Sequence, residues 1–485
     1  MHKNYHCDVL LIGAGIMSST LASILKITRP ELKIVVLESL PSAGLESSNT
    51  MSNAGTGHSG KCEVNYTSDV DGKIDISRAV KVAEEFEISK QFWSYMVSHG
   101  HIKNTFIKQM PHMTVVTSDE DIDFLRRRHE ELKKVNLFSD LEFSEDNSKD
   151  SVIHTWAPLI MRGRTGNVAA TFSPSGTDVD FGLLTRELMN FLEKNNVDIE
   201  YNTKVVDIEK SSAGGWIVKA EHEHSVDKIH ADFVFIGAGG LALTLLQKAN
   251  VKESKHYGGF PIGGEWLICD NPEVVNQHQV KAYGKAAIGA PPMSVEHLDK
   301  RHVDGKEVLL YGPFASFTTK FLKTGSKWDL LRSITPGNIW VLITAALKNF
   351  TLTKYLINQI SLGEDEKFKS LLRFYPTAAR ADWKLGMAGK RVQIIKQGKD
   401  GKGVIEFGTE VIMNQESGIA AVAGASPGAS TAVSVVMEIV DKMFATEDSR
   451  AAIGKILPSY NKKLSQDDEL LALVRENSIK NLRIY

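Results

Sequence analysis

The chain has 485 residues, which calls for more than one hydrophobic core and makes two domains the expectation. Its 42% hydrophobic and 24% charged residues are an ordinary soluble composition, and a formal net charge of −2 lacks the basic excess that bulk nucleic-acid binding needs. Cys7, Cys62 and Cys269 are far apart, odd in number and without a CxxC pair, which excludes a disulfide framework and a thiolate metal cluster.

Val9 to Ile12 is a short apolar run without charge, followed by Gly13-Ala14-Gly15-Ile16-Met17-Ser18. A helical pattern then covers Ile16 to Ile27, and a second apolar run, Ile34 to Leu37, ends at Glu38. This is strand, tight turn, helix, strand: one βαβ unit with a dinucleotide fingerprint. Gly13 turns the backbone out of the strand. Gly15 lets a pyrophosphate approach bare N–H groups at the helix start, beside Ile16 and Met17. Ser18 replaces the usual third glycine and is still small enough for close helix–strand packing. Glu38 can accept hydrogen bonds from both ribose hydroxyls, and NAD and FAD are not separated by this stretch alone. No charged leader or apolar signal core precedes the unit, and no apolar run reaches the length of a membrane span. A cytoplasmic protein is expected, free or resting on the inner membrane face.

The stretch 46–60 is small and polar. Placed just after the ribose acid, it should run beneath the rest of the cofactor. Ser47, Ser48 and Thr56 offer hydroxyls, Asn53 an amide, and Gly55 and Gly57 close backbone approach, while His58 is either functional or a satisfied loop histidine. A packing helix is expected from Ile74 to Ser98, and a strand of a second sheet at Met113 to Val116, with His112 beside it as a possible carboxylate contact. Asp119 to Lys134 reads as a charged surface helix that includes Arg126, Arg127 and Arg128, and Phe138 to Asp150 as surface loop. Arg162 and Arg164 flank a glycine beside an apolar run and could line a carboxylate pocket.

Phe181 to Glu193 reads as a helix, and the segments around Asp198–Ile208 and Trp216–Ala220 as a hairpin or meander. Phe233 to Gly240 repeats the strand-then-glycine theme without a following ribose acid. It is expected to return to the first sheet and bring Gly237 and Gly239 against the cofactor. Strands near Trp266–Cys269, Ala282–Ala287 and Val308–Gly312 belong to a sheet over the cofactor. Residues 319–360 carry Lys320, Lys323, Lys327, Arg332, Lys348 and Lys354 against the single acid Asp329. The fifteen uncharged residues between Arg332 and Lys348 are too few to span a bilayer but suit an interfacial helix, or a helix pair buried on the domain. Gly424, Ser426, Pro427, Gly428, Ala429 and Ser430 open a helix over Val433–Phe444, whose bare N–H groups suit an anion. The rest, 445–485, reads as a charged helical tail.

The segments GAGIMSSTLASIL (13–25), ESSNTMSNAGTGHSGKCEVNYT (46–67), SGTDVDFGLLTREL (175–188), ESKHYGGFPIGGEWL (253–267), YGPFASFTTKFLKTGS (311–326) and GASPGASTAVS (424–434) resemble the malate:quinone oxidoreductase family in order along nearly the whole chain. Gly60-Lys61 and Ala43-Gly44-Leu45 depart from the family pattern. The resemblance implies oxidation of (S)-malate to oxaloacetate, with electrons passing from FAD to a membrane quinone and peripheral membrane contact. Lactate or another 2-hydroxy acid is the alternative donor, and a flavin-binding protein without dehydrogenase activity is the alternative of another class. The fold implied is α/β and α+β: a discontinuous Rossmann-type FAD domain, glutathione-reductase-like, from 1–83, 173–250 and 371–447. A mostly antiparallel substrate domain takes 84–172 and 251–370, and 448–485 is the tail. Such chemistry needs a base for the hydroxyl proton, for which His58 is first and His112 second. Two substrate carboxylates call for cations, with Arg380 and Arg391 first and Lys390 and Arg162 after them.

Overall fold

Val9, Leu10 and Leu11 are fully buried, as a parallel strand covered on both faces requires. Asn4–Ile12 pairs in parallel with Ile34–Leu37 on one side and with Ser225–Ile236 on the other, and Phe233 to Ile236 lie opposite Val9 to Ile12. The computed structural model describes residues 4–223, 225–285, 295–349, 362–406, 408–424 and 428–484. Among these, eight strands form the first sheet. Asp198–Glu200 flanks Ile34–Leu37 at one edge; beyond Ser225–Ile236 lie the antiparallel strands Trp216–His222 and Thr203–Lys210 and the pair Ile419–Gly424 with Thr409–Asn414.

The helices Ile16–Thr28, Phe181–Lys194 and Ala432–Met443 share one core with Val9, Leu11, Ile34 and Val36. The helix Ala242–Lys248 packs in a second core with Leu10, Val35 and Trp216. Ser18 is buried, and a Cβ added at Gly237 would stand 2.2 Å from its Oγ. The small residue at position 18 thus lets helix and returning strand touch, which is a packing role and not a place on the cavity wall.

A second sheet of nine described strands runs, in order, through Gly403–Glu406, Lys384–Gln397, Gly258–Cys269, Lys306–Phe317, His297–Val303, Lys281–Tyr283, His112–Val116, Ala169–Ser173 and Glu142–Ser144. All neighbours are antiparallel except Lys281–Tyr283 with His112–Val116. The segment 371–447, expected wholly in the nucleotide domain, is divided: the strands Lys384–Gln397 and Gly403–Glu406 belong to this second sheet. The strand expected at Ala282–Ala287 covers Lys281–Tyr283, and its end from 286 lies outside the described residues.

Two other expectations are corrected and a third is extended. The segment after 447 is helical, as expected, and is packed against the rest of the fold. Its helix Asp468–Leu482 lies on the helix Ser77–Ser98, with Arg475 Nε 3.0 Å from Glu87 Oε1 and Leu482 and Ile484 in the main core. Arg128 points inward instead of joining a solvated face, and donates to the carbonyls of Gly60 and Lys61 at 2.9 and 2.7 Å. Within the expected surface loop 138–150, Phe138 and Leu141 are buried and Glu142–Ser144 is a strand.

Candidate functional site

A cavity of about 770 Å3 runs from the carboxyl ends of the first sheet to the face of the second. That is the upper part of the range for ligand sites. At one end it is walled by Gly13, Gly15, Ile16, Met17, Glu38 and Thr203. Gly13 has φ +96°, and a Cβ there would stand 2.7 Å from the Gly237 carbonyl oxygen, so only glycine makes this turn. Ser48 Oγ accepts the Ile16 N–H at 3.0 Å, which ties the loop to the helix start. Glu38 accepts the Ala14 and Leu40 N–H groups at 2.7 and 2.9 Å, so its carboxylate is held on the cavity wall. Gly237 stands beside Gly13, and Gly239 and Ser47 line the cavity as neighbours of each other. At the far end Gly424, Gly428, Ala429 and Ser430 line the wall just before the helix Ala432–Met443. Ser426 and Pro427 lie outside the described residues.

The loop 46–60 is the floor of this far end. Ser52, Asn53, Gly55, Thr56 and His58 line the cavity. Gly57 does not: it is squeezed between Thr177 and Phe86, where a Cβ would meet their atoms at 2.1 and 2.4 Å. The loop is braced from below by a buried charge cluster. Lys281 Nζ and Arg301 Nε approach Asp178 Oδ1 at 2.9 and 2.7 Å, and Lys281 lies 3.7 Å from Asp299, all four residues being buried. Arg301 donates to the Asn53 carbonyl at 2.5 Å and Lys281 to that of Ala54 at 2.8 Å. Burial works to raise the Asp178 carboxyl, but the two cations outweigh it and hold the group well below the usual carboxylate range. Buried ion pairs add little net stability, so the cluster is better read as fixing the loop's shape.

His58 Nδ1 lies 3.1 Å from Glu63 Oε1 and 3.2 Å from the Tyr66 hydroxyl. Glu63 is buried, which opposes its ionisation, yet the contact with His58 holds it below the usual carboxylate range. Lys390 and Arg391 are on the wall, and neither side chain has a hydrogen bond or ion pair to a described residue. Desolvation lowers the Arg391 guanidinium from its ordinary value, as expected of a cation facing a secluded space.

The other candidates lie elsewhere. Arg380 is on the surface, 2.7 Å from Glu364 and from the Trp383 carbonyl. Arg162 is held by Gln277, and Arg164 donates to the carbonyls of Arg373 and Phe374. His112 is fully buried behind the wall, its Nε2 3.1 Å from the Thr177 carbonyl. Burial pushes it down to about 4, and His278 likewise. The unfolded chain takes up these protons near pH 6.5 and the folded chain only near 4, so between those values the unfolded state binds more protons and stability falls as pH drops. By pH 5 each histidine should weigh roughly 2 kcal/mol against folding. Urea titrations at pH 7 and pH 5 measure this, and His278→Gln should flatten the slope.

The sequence reading missed Glu63, Tyr66, Arg78, Tyr283 and His297, all on the cavity wall. His297 Nδ1 is 2.8 Å from Asp299 Oδ2, and its ring packs against Trp266 and Tyr283 at centroid distances of 5.4 and 5.1 Å. Thr56 Oγ1 and the Tyr283 hydroxyl are 2.9 Å apart, joining floor and sheet. One signal was available: His297, Asp299 and Arg301 alternate along a single strand and so share a face.

A family model described as malate:quinone oxidoreductase matches residues 5–484. A protein of Oceanobacillus iheyensis named probable malate:quinone oxidoreductase is 49% identical over 480 residues, covering 97% of this chain and 95% of that protein. One of Staphylococcus aureus, named probable malate:quinone oxidoreductase 1, is 46% identical over 486 residues, with 98% of each covered. Among solved structures, the L-alpha-glycerophosphate oxidase of Mycoplasma pneumoniae with FAD bound is similar at TM-score 0.62 and 17% identity, over 91% of this chain and 95% of that one. The glycine oxidase of Geobacillus kaustophilus follows at 0.57 and 15%, over 90% and 94%. At such identities the two structures share the fold. With relatives this similar over nearly its full length, the chain belongs to the malate:quinone oxidoreductase family.

Proposed function

We propose that the chain oxidises (S)-malate to oxaloacetate with FAD and passes the electrons to a membrane quinone. The observation that carries this is the continuity of the cavity. A dinucleotide fingerprint at one end opens, without a break, onto a chamber holding His58 against buried Glu63 and the Arg391 side chain, which has no ion-pair partner among the described residues. The residues fit the cofactor: the helix start at Gly15 for the pyrophosphate, Glu38 for the ribose, the glycine-rich loop for the ring, and Gly428 to Ser430 for anionic charge. FAD, when bound, supplies the acceptor for the hydride from C2 of the substrate.

The chain's own residues do the rest. His58 accepts the hydroxyl proton, and Glu63 orients the imidazole and stabilises the imidazolium that forms. Arg391, with Lys390 near it, meets the substrate carboxylates. Tyr66 and Tyr283 are pushed far up by burial and stay hydroxyl donors. Gly13→Val should leave a colourless protein after incubation with FAD, as judged by visible absorbance, because the side chain would collide with Gly237.

No described helix is long and apolar enough to cross a membrane. A peripheral contact is supported instead by exposed apolar side chains. Trp328, Leu331, Ile339, Trp340, Ile343 and Leu347 are each 47% or more exposed, and Phe317 and Ile334 join them. The segment's cations suit anionic headgroups. The expectation for 350–360 lies outside the described residues. Anaerobic addition of malate to the yellow protein tests the donor, and reoxidation by a soluble quinone tests the acceptor.

A further inference from the structure

The segment with the exposed apolar face has an inner side. Between the strand Lys306–Phe317 and the helix Ile339–Lys348 the chain crosses the cofactor groove, and Leu322, Thr324, Gly325, Ser326, Asp329 and Arg332 line the cavity. Leu322 stands beside Gly239, which also neighbours Ser47. The approach is close: a Cβ on Gly240 would meet the Phe321 carbonyl oxygen at 2.3 Å. Trp328 and Leu331, within the same span, are 60% and 55% exposed.

This crossing is latched to the nucleotide side. Glu46 accepts the Lys323 and Thr324 N–H groups at 2.9 and 3.1 Å and the Thr324 hydroxyl at 2.6 Å. Glu46 is two residues from Ser48, which holds the helix start at Ile16. At the other end Gln247 donates to the Ser333 carbonyl at 3.1 Å. Asp329 stiffens the crossing by accepting the Phe321 N–H at 3.1 Å. In this latched arrangement Trp328 and Leu331 are exposed while Leu322 and Asp329 line the groove.

We infer that residues 318–333 are a roof over the cofactor whose outer face is the lipid-contact surface, so that binding to an anionic bilayer and retention of FAD reinforce each other. The inference rests on the reading that FAD fills the groove and that this face meets lipid. A bilayer that binds the latched roof lowers the population of opened roof, and opening is the step through which FAD would leave. Because such coupling is reciprocal, FAD must tighten bilayer binding by the factor by which the bilayer tightens FAD. Glu46 acts through the roof and is a positioning residue.

The test uses the full FAD-loaded chain. FAD release is followed by the return of free-flavin fluorescence, alone and with vesicles of phosphatidylglycerol and phosphatidylcholine or of phosphatidylcholine only. Anionic vesicles should slow release by about tenfold, within the usual range of coupling between sites. The FAD-loaded chain should co-sediment with them more tightly than the stripped chain, by the factor by which the vesicles lower the FAD dissociation constant. Trp328→Ser with Leu331→Ser should abolish the vesicle effect. Glu46→Gln should speed release in solution about tenfold by weakening three charge-assisted hydrogen bonds, and Glu46→Asp should recover part of it. Vesicle-bound protein that releases FAD at the free rate would overturn the inference. So would a folded Glu46→Gln protein, checked by circular dichroism, that keeps FAD as long as wild type. A chain that takes up no FAD, or does not sediment with anionic vesicles, overturns it as well, and flavin absorbance and sedimentation on the same samples show which part of the underlying reading has failed.

Discussion

Replacing His58 with glutamine should slow the reduction of bound flavin by malate by roughly 10²- to 10⁴-fold, the usual worth of a positioned general base. The FAD content and visible spectrum should stay those of wild type, because His58 meets the cavity at its far end, away from the Gly13 turn and Glu38. Anaerobic stopped-flow at saturating malate measures this directly. Glu63→Gln should fall between the two, since the ring keeps a hydrogen-bond partner near Nδ1 but loses the buried charge that stabilises its protonated form. His112→Gln is the contrasting variant. His112 lies behind the wall against the Thr177 carbonyl, so its loss should change the chemical step by no more than about threefold, less than the smallest effect of a catalytic acid or base. Equal rates for wild type and His58→Gln would remove His58 from the mechanism.

Arg391→Gln should weaken malate binding by roughly 30-fold or more, because a secluded guanidinium that meets a carboxylate contributes about 2–5 kcal/mol when truncated. Its effect should appear in the substrate concentration needed for flavin reduction more than in the limiting rate. Arg391→Lys should recover only part of the loss, since an ammonium cannot make two parallel bonds to a carboxylate. Arg380→Gln should bind malate as wild type does within about twofold, the range of an exposed ion pair, because its charge is already spent on Glu364 at the surface. Titration of flavin reduction with malate separates the two arginines. A larger effect at Arg380 than at Arg391 would reverse the assignment.

What could be read from the sequence was local. Gly13, Gly15 and Glu38 lie within one βαβ unit, where spacing dictates geometry, and they stand together on the cavity wall. Much of the small-residue stretch after Glu38 lines the same cavity for the same reason: a chain leaving that strand has few other places to go. His297 and Asp299 share one face of a strand, but Lys281 and Asp178 could not be joined to them in this way. They come from other segments, Lys281 brought in by strand pairing and Asp178 by its ion pairs, and each alone resembles an ordinary surface charge. Arg380 and Arg391 illustrate the limit. Both are arginines near glycine or alanine in the same stretch of sequence, but Arg391 lies in the strand Lys384–Gln397 opposite Ile262 and lines the cavity, while Arg380 lies in a turn before that strand and stays on the surface. The packing of the helical segment after residue 447 was not legible because its apolar residues match a partner helix nearly four hundred residues earlier in the chain.

The most direct measurement is anaerobic titration of the purified yellow protein with malate and, separately, with lactate. The account predicts that malate bleaches the visible flavin band within the mixing time of a manual experiment while lactate at the same concentration leaves it largely intact, since one carboxylate fewer is offered to the Arg391 side of the cavity. A flavin that stays oxidised in malate, or that lactate reduces as readily, would contradict it.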